Sequence, residues 1–521
     1  MSAVLELHGL QVEAAERGRA PRALLGPLDL ELQAGQCLGV VGESGSGKSL
    51  TALSLLGLLP SPLRARGGLR VDGAEIALDS AAHARLRGRT LAWVPQDPLA
   101  SLHPLRRVGA QLVETLRAVR GLGGDEARRQ AQSLFERVQL PEPAAALARY
   151  PHQFSGGQRQ RIAIALALAT QPRALIADEP TSALDARIAR DILDLLDRLR
   201  REDGLALLLI SHDLPLVGAY AQQLLVLQRG AAVERGGAAQ VFAAPAQAYT
   251  RELIAADRIA PLPAPADAGA PVLLRGEGLR MRYPRAPRAA LDGVDIELRR
   301  GEGLALVGES GSGKSTLGRA LLRLLRGAQG RVVFDGVDLA ALDPAALRRL
   351  RARTGVVFQD PYASLDPRMR VAEIVAEPLR IHDQGDAAAC RARAAELLLA
   401  VGLDESMLER YPHQFSGGQR QRIAIARALA TRPQLLVCDE AVSALDAHHR
   451  AAVLQLLARL KREHGLALLF VTHDLSAAAA VAERIAVLEA GRIVESGTTA
   501  QVLGAPAHAH TRALLAARAA L

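Results

Sequence analysis

The chain has 521 residues, 49% of them apolar and 23% charged, a balance that suits two or more folded domains and excludes global disorder. Aromatic residues are only 3%, so aliphatic side chains and Ala must build the cores. The net charge of +9 is spread as single arginines without a dense basic block, so charge alone does not point to nucleic acid.

No run of about 18 uncharged apolar residues occurs, so no membrane-spanning helix is expected. The opening stretch MSAVLELHGLQVEAAERG has acidic residues and no basic region ahead of an apolar one, so no signal peptide is expected. Cys37, Cys390 and Cys438 are scattered and odd in number, which gives neither a disulfide framework nor a metal spacing and suits a reducing cytoplasm. Of the 64 Lys and Arg residues only Lys48, Lys314 and Lys461 are lysine, so each calls for a specific reason.

In chain order, the apolar run CLGVV at 37–41 has the length of a strand. It runs into Gly42-Glu43-Ser44-Gly45-Ser46-Gly47-Lys48-Ser49, which fits G-x-x-x-x-G-K-[ST] ahead of a helix-compatible stretch. The glycines let backbone N–H groups turn inward around phosphate oxygens, and the helix N-terminus adds partial positive charge. Lys48 is placed to reach the β- and γ-phosphates and Ser49 to bind Mg²⁺. A compact ammonium fits inside such a loop where a planar guanidinium would not.

RYPHQFSGGQRQRIAIA follows at 149–165, then the strand-length run ALIA at 174–177 ending in Asp178 and Glu179. A strand end can aim the first carboxylate at the Mg²⁺ shell and the second at the attacking water, as general base. The stretch 186–201 has helical spacing, with Ile188, Ile192, Leu195, Leu196 and Leu199 on one side. The strand ALLLI at 206–210 precedes His212, read as a γ-phosphate contact.

All of this recurs about 260 residues later. Gly308-Glu309-Ser310-Gly311-Ser312-Gly313-Lys314-Ser315 repeats the loop, 410–426 repeats 149–165, CDEAVSALDA with Asp439 and Glu440 echoes ADEPTSALDA, and THDL with His473 echoes SHDL. The chain is a duplication of α/β domains with largely parallel sheets. The expected layout is domain 1 at 1–256, an Ala/Pro-rich linker at 257–271 and domain 2 at 272–521.

With these residues in view, the chain resembles the ATP-binding subunits of ABC transporters. FSGGQRQR, at 154–161 and 415–422, is similar to that family's signature motif, with Phe in place of the usual Leu, and its Ser lies 23 residues before Asp178 or Asp439. Gln96 and Gln359 match the Q-loop and Asp185 and Asp446 the D-loop. The resemblance implies two tandem P-loop NTPase domains, each with a mostly parallel core sheet, an antiparallel β subdomain and a helical subdomain carrying the signature. Narrower segments resemble the dipeptide, oligopeptide and nickel importers: PQDPLASLHPLRRV and FQDPYASLDPRMRV around the glutamines, and AYTRELI and AHTRALL at the ends of the halves.

What the resemblance implies is specific. Each nucleotide site would be completed by the other half, in an intrachain head-to-tail pairing. Lys48, Ser49, Gln96, Asp178, Glu179 and His212 would work with Ser416, Gly417, Gly418 and Gln419. Lys314, Ser315, Gln359, Asp439, Glu440 and His473 would work with Ser155, Gly156, Gly157 and Gln158. Mg²⁺ would accompany ATP on Ser49, Gln96 and Asp178, or on Ser315, Gln359 and Asp439. Both sites are expected to hydrolyse ATP. Adenine would stack on Tyr283, whereas no aromatic residue precedes Trp93 in the first half, so the first site is expected to bind nucleotide more weakly. The implied partners are two transmembrane permease subunits and, through them, an extracytoplasmic solute-binding protein, at the cytoplasmic face of a bacterial inner membrane. The competing reading is a soluble tandem ATPase acting on ribosomes or nucleic acid. The short Ala/Pro linker and the lack of zinc-spaced cysteines count against it.

Overall fold

A computed structural model describes residues 3–15, 21–182, 184–256, 262, 269–284, 286, 288–442 and 445–519. The chain forms two compact units, 1–255 and 256–520. Most of the linker expected at 257–271 lies outside the described residues; the helix Ala248–Ala256 precedes it and the strand Val272–Met281 follows.

In the first unit a six-stranded sheet runs Ala231–Gly237, Gln223–Gln228, Cys37–Val41, Ala206–Ser211, Ala174–Asp178, Leu91–Val94. All neighbours are parallel except the edge strand Ala231–Gly237. Cys37–Val41 and Ala174–Asp178 are buried at every residue, which is why they read as continuous apolar runs without alternation. Leu38, Val40, Leu208 and Ile210 share a core with the helix Lys48–Leu56 and a four-stranded antiparallel sheet, Arg22–Gln33, Ala3–Ala14, Leu63–Val71, Ala74–Ile76. Val41, Leu175 and Leu209 belong to a second core with Ile192, Leu196 and Leu199 of the helix Ala186–Asp203. Each fully buried leucine there contributes roughly 1.5–3 kcal/mol. That helix starts where the Asp185 carboxylate accepts the Ile188 amide and stops at Gly204, φ 63°. The helices Val108–Arg120, Gly124–Arg137 and Gly156–Leu168 form the helical part, packed through Leu112, Leu116, Phe135 and Ile162.

The second unit repeats the plan. Its six-stranded sheet runs Thr354–Val357, Leu435–Asp439, Ala467–Thr472, Gly303–Val307, Arg484–Glu489, Arg492–Thr498, again parallel but for the last strand. Leu291–Arg299, Val272–Met281, Gln329–Phe334 and Val337–Asp338 make the antiparallel sheet, and Val371–Ile381, Ala387–Ala400 and Gly417–Ala428 the helical part. Lys461, the lysine outside the phosphate motifs, is buried in an ion pair with Glu483, so its reason is structural. No described helix is long and apolar enough to cross a membrane.

Candidate nucleotide site

Parallel register brings the candidate functional residues to one end of the strands in each sheet. Val41 pairs with Ser211 and Asp178 with Ile210, so the loop after Val41, the acidic pair 178–179 and His212 all leave the same end of the sheet. In the second unit Val307 pairs with Thr472 and Asp439 with Val471.

Each loop passes close to the neighbouring strand: a Cβ on Gly42 would sit 2.2 Å from the Leu227 carbonyl oxygen, and one on Gly308 2.2 Å from that of Leu488. Lys48 Nζ is buried and donates to the carbonyls of Gly42 and Glu43, both at 2.8 Å; Lys314 Nζ does the same with Gly308 and Glu309. Ser46 Oγ and Ser312 Oγ are buried without a hydrogen-bond partner inside these loops. A buried hydroxyl left so is costly unless a ligand oxygen meets it, and a phosphate would.

Ser49 Oγ lies 3.3 Å from Asp178 Oδ1 and Ser315 Oγ 2.6 Å from Asp439 Oδ1. A hydroxyl beside a carboxylate is a hard-oxygen donor set that suits Mg²⁺ shared with phosphates. Burial pushes Asp178 up to about 6; the Ser49 hydroxyl opposes this, Glu179 adds to it and Lys48 opposes it. The second site differs: Arg319 Nη2 stands 3.5 Å from Asp439 Oδ2, where the first loop's helix carries Leu53.

The rise at Asp178 carries a stability consequence. The folded state holds this proton more tightly than an exposed Asp does. Stability is therefore lost as pH rises from about 4 through about 6, and the full cost stands above that. Asp178→Asn is expected to stabilise the metal-free chain at pH 7.5 by on the order of 1–3 kcal/mol, and so to raise its melting temperature, while changing little at pH 4. Thermal unfolding in chelator at the two pH values checks this, and a destabilised variant at pH 7.5 would refute it.

Glu179 gathers its neighbours from distant elements. Gln96 Nε2 donates to Oε2 at 2.9 Å, His212 Nδ1 lies 3.3 Å from Oε2 and Lys48 Nζ 3.9 Å from Oε1. Gln359 donates to Glu440 at 2.8 Å, with His473 Nδ1 at 3.8 Å. Burial would raise Glu440, but the His473 hydrogen bond and charge, Lys314 and Gln359 together hold it below the usual carboxylate range. The structure thus places both glutamines on the candidate bases, beside the hydroxyl–carboxylate pair that suits Mg²⁺. Both glutamates sit in left-handed backbone, φ 47° and 49°, with their amides tied to the Ile210 and Val471 carbonyls. Such backbone in a non-glycine residue costs energy and is held by the bonds around it. No sequence signal announces it.

Ser155 and Ser416 are the N-caps of Gly156–Leu168 and Gly417–Ala428, in capping boxes with Gln158 and Gln419. Ser155, Gly156 and Ser416 are exposed, so each signature presents a helix N-terminus to solvent. Gly157 and Gly418 press against the next helix: a Cβ there would meet Ile188 at 2.5 Å or His449 at 2.7 Å. The D-loop residues are caps as well, Asp185 for Ile188 and Asp446 for the amide and imidazole of His449. Tyr283 is 40% exposed with its hydroxyl 3.3 Å from Thr316 Oγ1, just past the second loop. Leu166 packs against the core, whereas its counterpart Arg427 reaches the Ser364 carbonyl at 2.5 Å and ties the signature helix to the segment after Gln359.

The sequence profile of the ABC transporter family matches residues 25–182 and 291–443. The peptidoglycan transport ATP-binding protein YejF of Agrobacterium fabrum is 42% identical over 99% of this chain and 96% of its own length. The glutathione import ATP-binding protein GsiA of Salmonella typhimurium is 42% identical over 99% of this chain and 89% of its own. Its Escherichia coli O157:H7 namesake is 43% identical over 94% and 85%.

Proposed function

This chain belongs to the ABC transporter family, and on that premise we propose that it is the ATP-hydrolysing, energy-coupling subunit of an importer for peptide-like solutes. The observation that supports this reading is that each unit gathers the loop lysine, the acidic pair, the glutamine and the histidine at one place, and carries a signature helix whose N-terminus is exposed. The substrate class follows from relatives named for glutathione import and peptidoglycan transport that match along almost the whole chain; dipeptides, oligopeptides and nickel chelates belong to the same proposal.

Ser49 with Asp178, and Ser315 with Asp439, would hold Mg²⁺, which when bound neutralises charge on the phosphate oxygens. Lys48 and Lys314 hold the phosphates in place. Glu179 and Glu440 accept the proton of the attacking water, and His212 and His473 stand beside them to contact the γ-phosphate. Gln96 and Gln359, with one end on the base, link it to the segments at 95–108 and 358–371 near which a permease helix would dock.

The signature of each half then closes over the nucleotide of the other. ATP favours the closed pair and hydrolysis releases it. The linker keeps the effective concentration of one half for the other high. The partners are two permease subunits, with an extracytoplasmic solute-binding protein delivering to them, and the location is the cytoplasmic face of the inner membrane.

The chain co-expressed with a permease pair is expected to purify with it from membranes. In nanodiscs its ATP hydrolysis should rise severalfold on adding the binding protein loaded with glutathione or a peptidoglycan peptide. Stimulation by ribosomes, with none by permeases, would overturn the proposal.

A further inference from the structure

The segment that ends each half returns to the phosphate loop, and the two halves do this differently. In the first, Glu234 on the edge strand accepts the amides of Ala246 and Gln247, at 2.8 and 3.1 Å, and so fixes the start of the helix Ala248–Ala256. This drives Tyr249 inward until it is only 8% exposed. Its hydroxyl then accepts the amide of Glu43 at 3.2 Å, across 206 residues of sequence. Glu43 is also the residue whose carbonyl holds Lys48 Nζ at 2.8 Å.

In the second half Glu495 fixes Ala507 and His508 in the same way, at 2.8 and 3.0 Å. The corresponding side chain, however, is His510. An imidazole reaches less far than a phenol. Its Nδ1 lies 3.2 Å from Glu489, and its Nε2 is buried with no hydrogen-bond partner, so it makes no contact of the Tyr249 kind.

We propose that Tyr249 is a positioning residue for the first nucleotide site: its hydroxyl fixes Glu43 and, through the Glu43 carbonyl, the Lys48 ammonium that meets the phosphates. The loop is thereby pre-organised, and less order has to be imposed when nucleotide binds. The inference rests on the nucleotide-site reading above and adds to it a residue outside every phosphate motif. It also works against the expected weakness of the first site, which lacks a counterpart to Tyr283.

The test uses the full chain carrying Lys314→Ala to silence the second loop. Tyr249→Phe removes only the hydroxyl. It is expected to weaken ATP binding and raise KM about fivefold, the size of one net hydrogen bond, with kcat at saturation unchanged. Arg251→Ala loosens the same segment elsewhere, since Arg251 Nη1 bonds the carbonyls of Pro245 and Ala246. It should leave KM unchanged, even if both variants melt slightly earlier. An unchanged KM in Tyr249→Phe, or an equal rise in Arg251→Ala, would overturn the proposal. Failure of the unaltered chain to bind ATP would instead overturn the nucleotide site itself.

Discussion

Glu179→Gln and Glu440→Gln together are expected to cut ATP hydrolysis at least about 100-fold while leaving ATP binding in place, the scale of losing a general base. The substitution keeps the shape of the side chain and removes its ability to accept the water's proton. The backbone that aims it should persist, because the amides of 179 and 440 are tied to neighbouring strand carbonyls. Each single variant should abolish turnover at its own site only. Steady-state phosphate release, with nucleotide occupancy measured in parallel, checks both statements. If Glu440→Gln alone kept the full rate, the second site would not hydrolyse ATP, contrary to its complete set of Lys314, Asp439, Gln359 and His473 around the base.

Ser416→Arg is expected to stop hydrolysis of the nucleotide held by Lys48, and Ser155→Arg that of the nucleotide held by Lys314, again by about 100-fold, the scale of losing pre-organised donors to a reacting phosphate. Each serine caps an exposed helix N-terminus, where the first-turn amides have no helical partner of their own. Arginine removes the cap and fills the space in front of it. Loss of the cap alone costs the helix about 1 kcal/mol, so Ser→Ala at the same positions should be milder and separates folding from chemistry. Trapping of labelled nucleotide, followed by proteolytic separation of the halves, reports which loop has stopped turning over. Loss confined to the half that carries the substitution would refute cross-completion.

Lys48, Ser49, Asp178 and His212 and their repeats were legible because local spacing places them: a fully buried strand must be followed by a turn, and the residue types at that turn are few. The duplication was legible because two copies of one ten-residue pattern in one order leave little room for chance. The strands at 37–41, 174–177 and 206–210 were legible as apolar runs because both faces of the parallel sheet are covered.

What local sequence determined about this protein is therefore its tandem α/β architecture and the list of groups at each candidate phosphate loop. Only the tertiary structure decided how those groups meet. It brings Gln96 onto Glu179 across 83 residues and Tyr249 onto Glu43 across 206, turns both glutamates into left-handed backbone, and sets Arg319 beside Asp439 in one half alone. The physical reason is range. Turn chemistry and apolar periodicity act over a few residues, whereas the aim of a side chain depends on which distant strand or helix packs beside it, and that is set by the whole core.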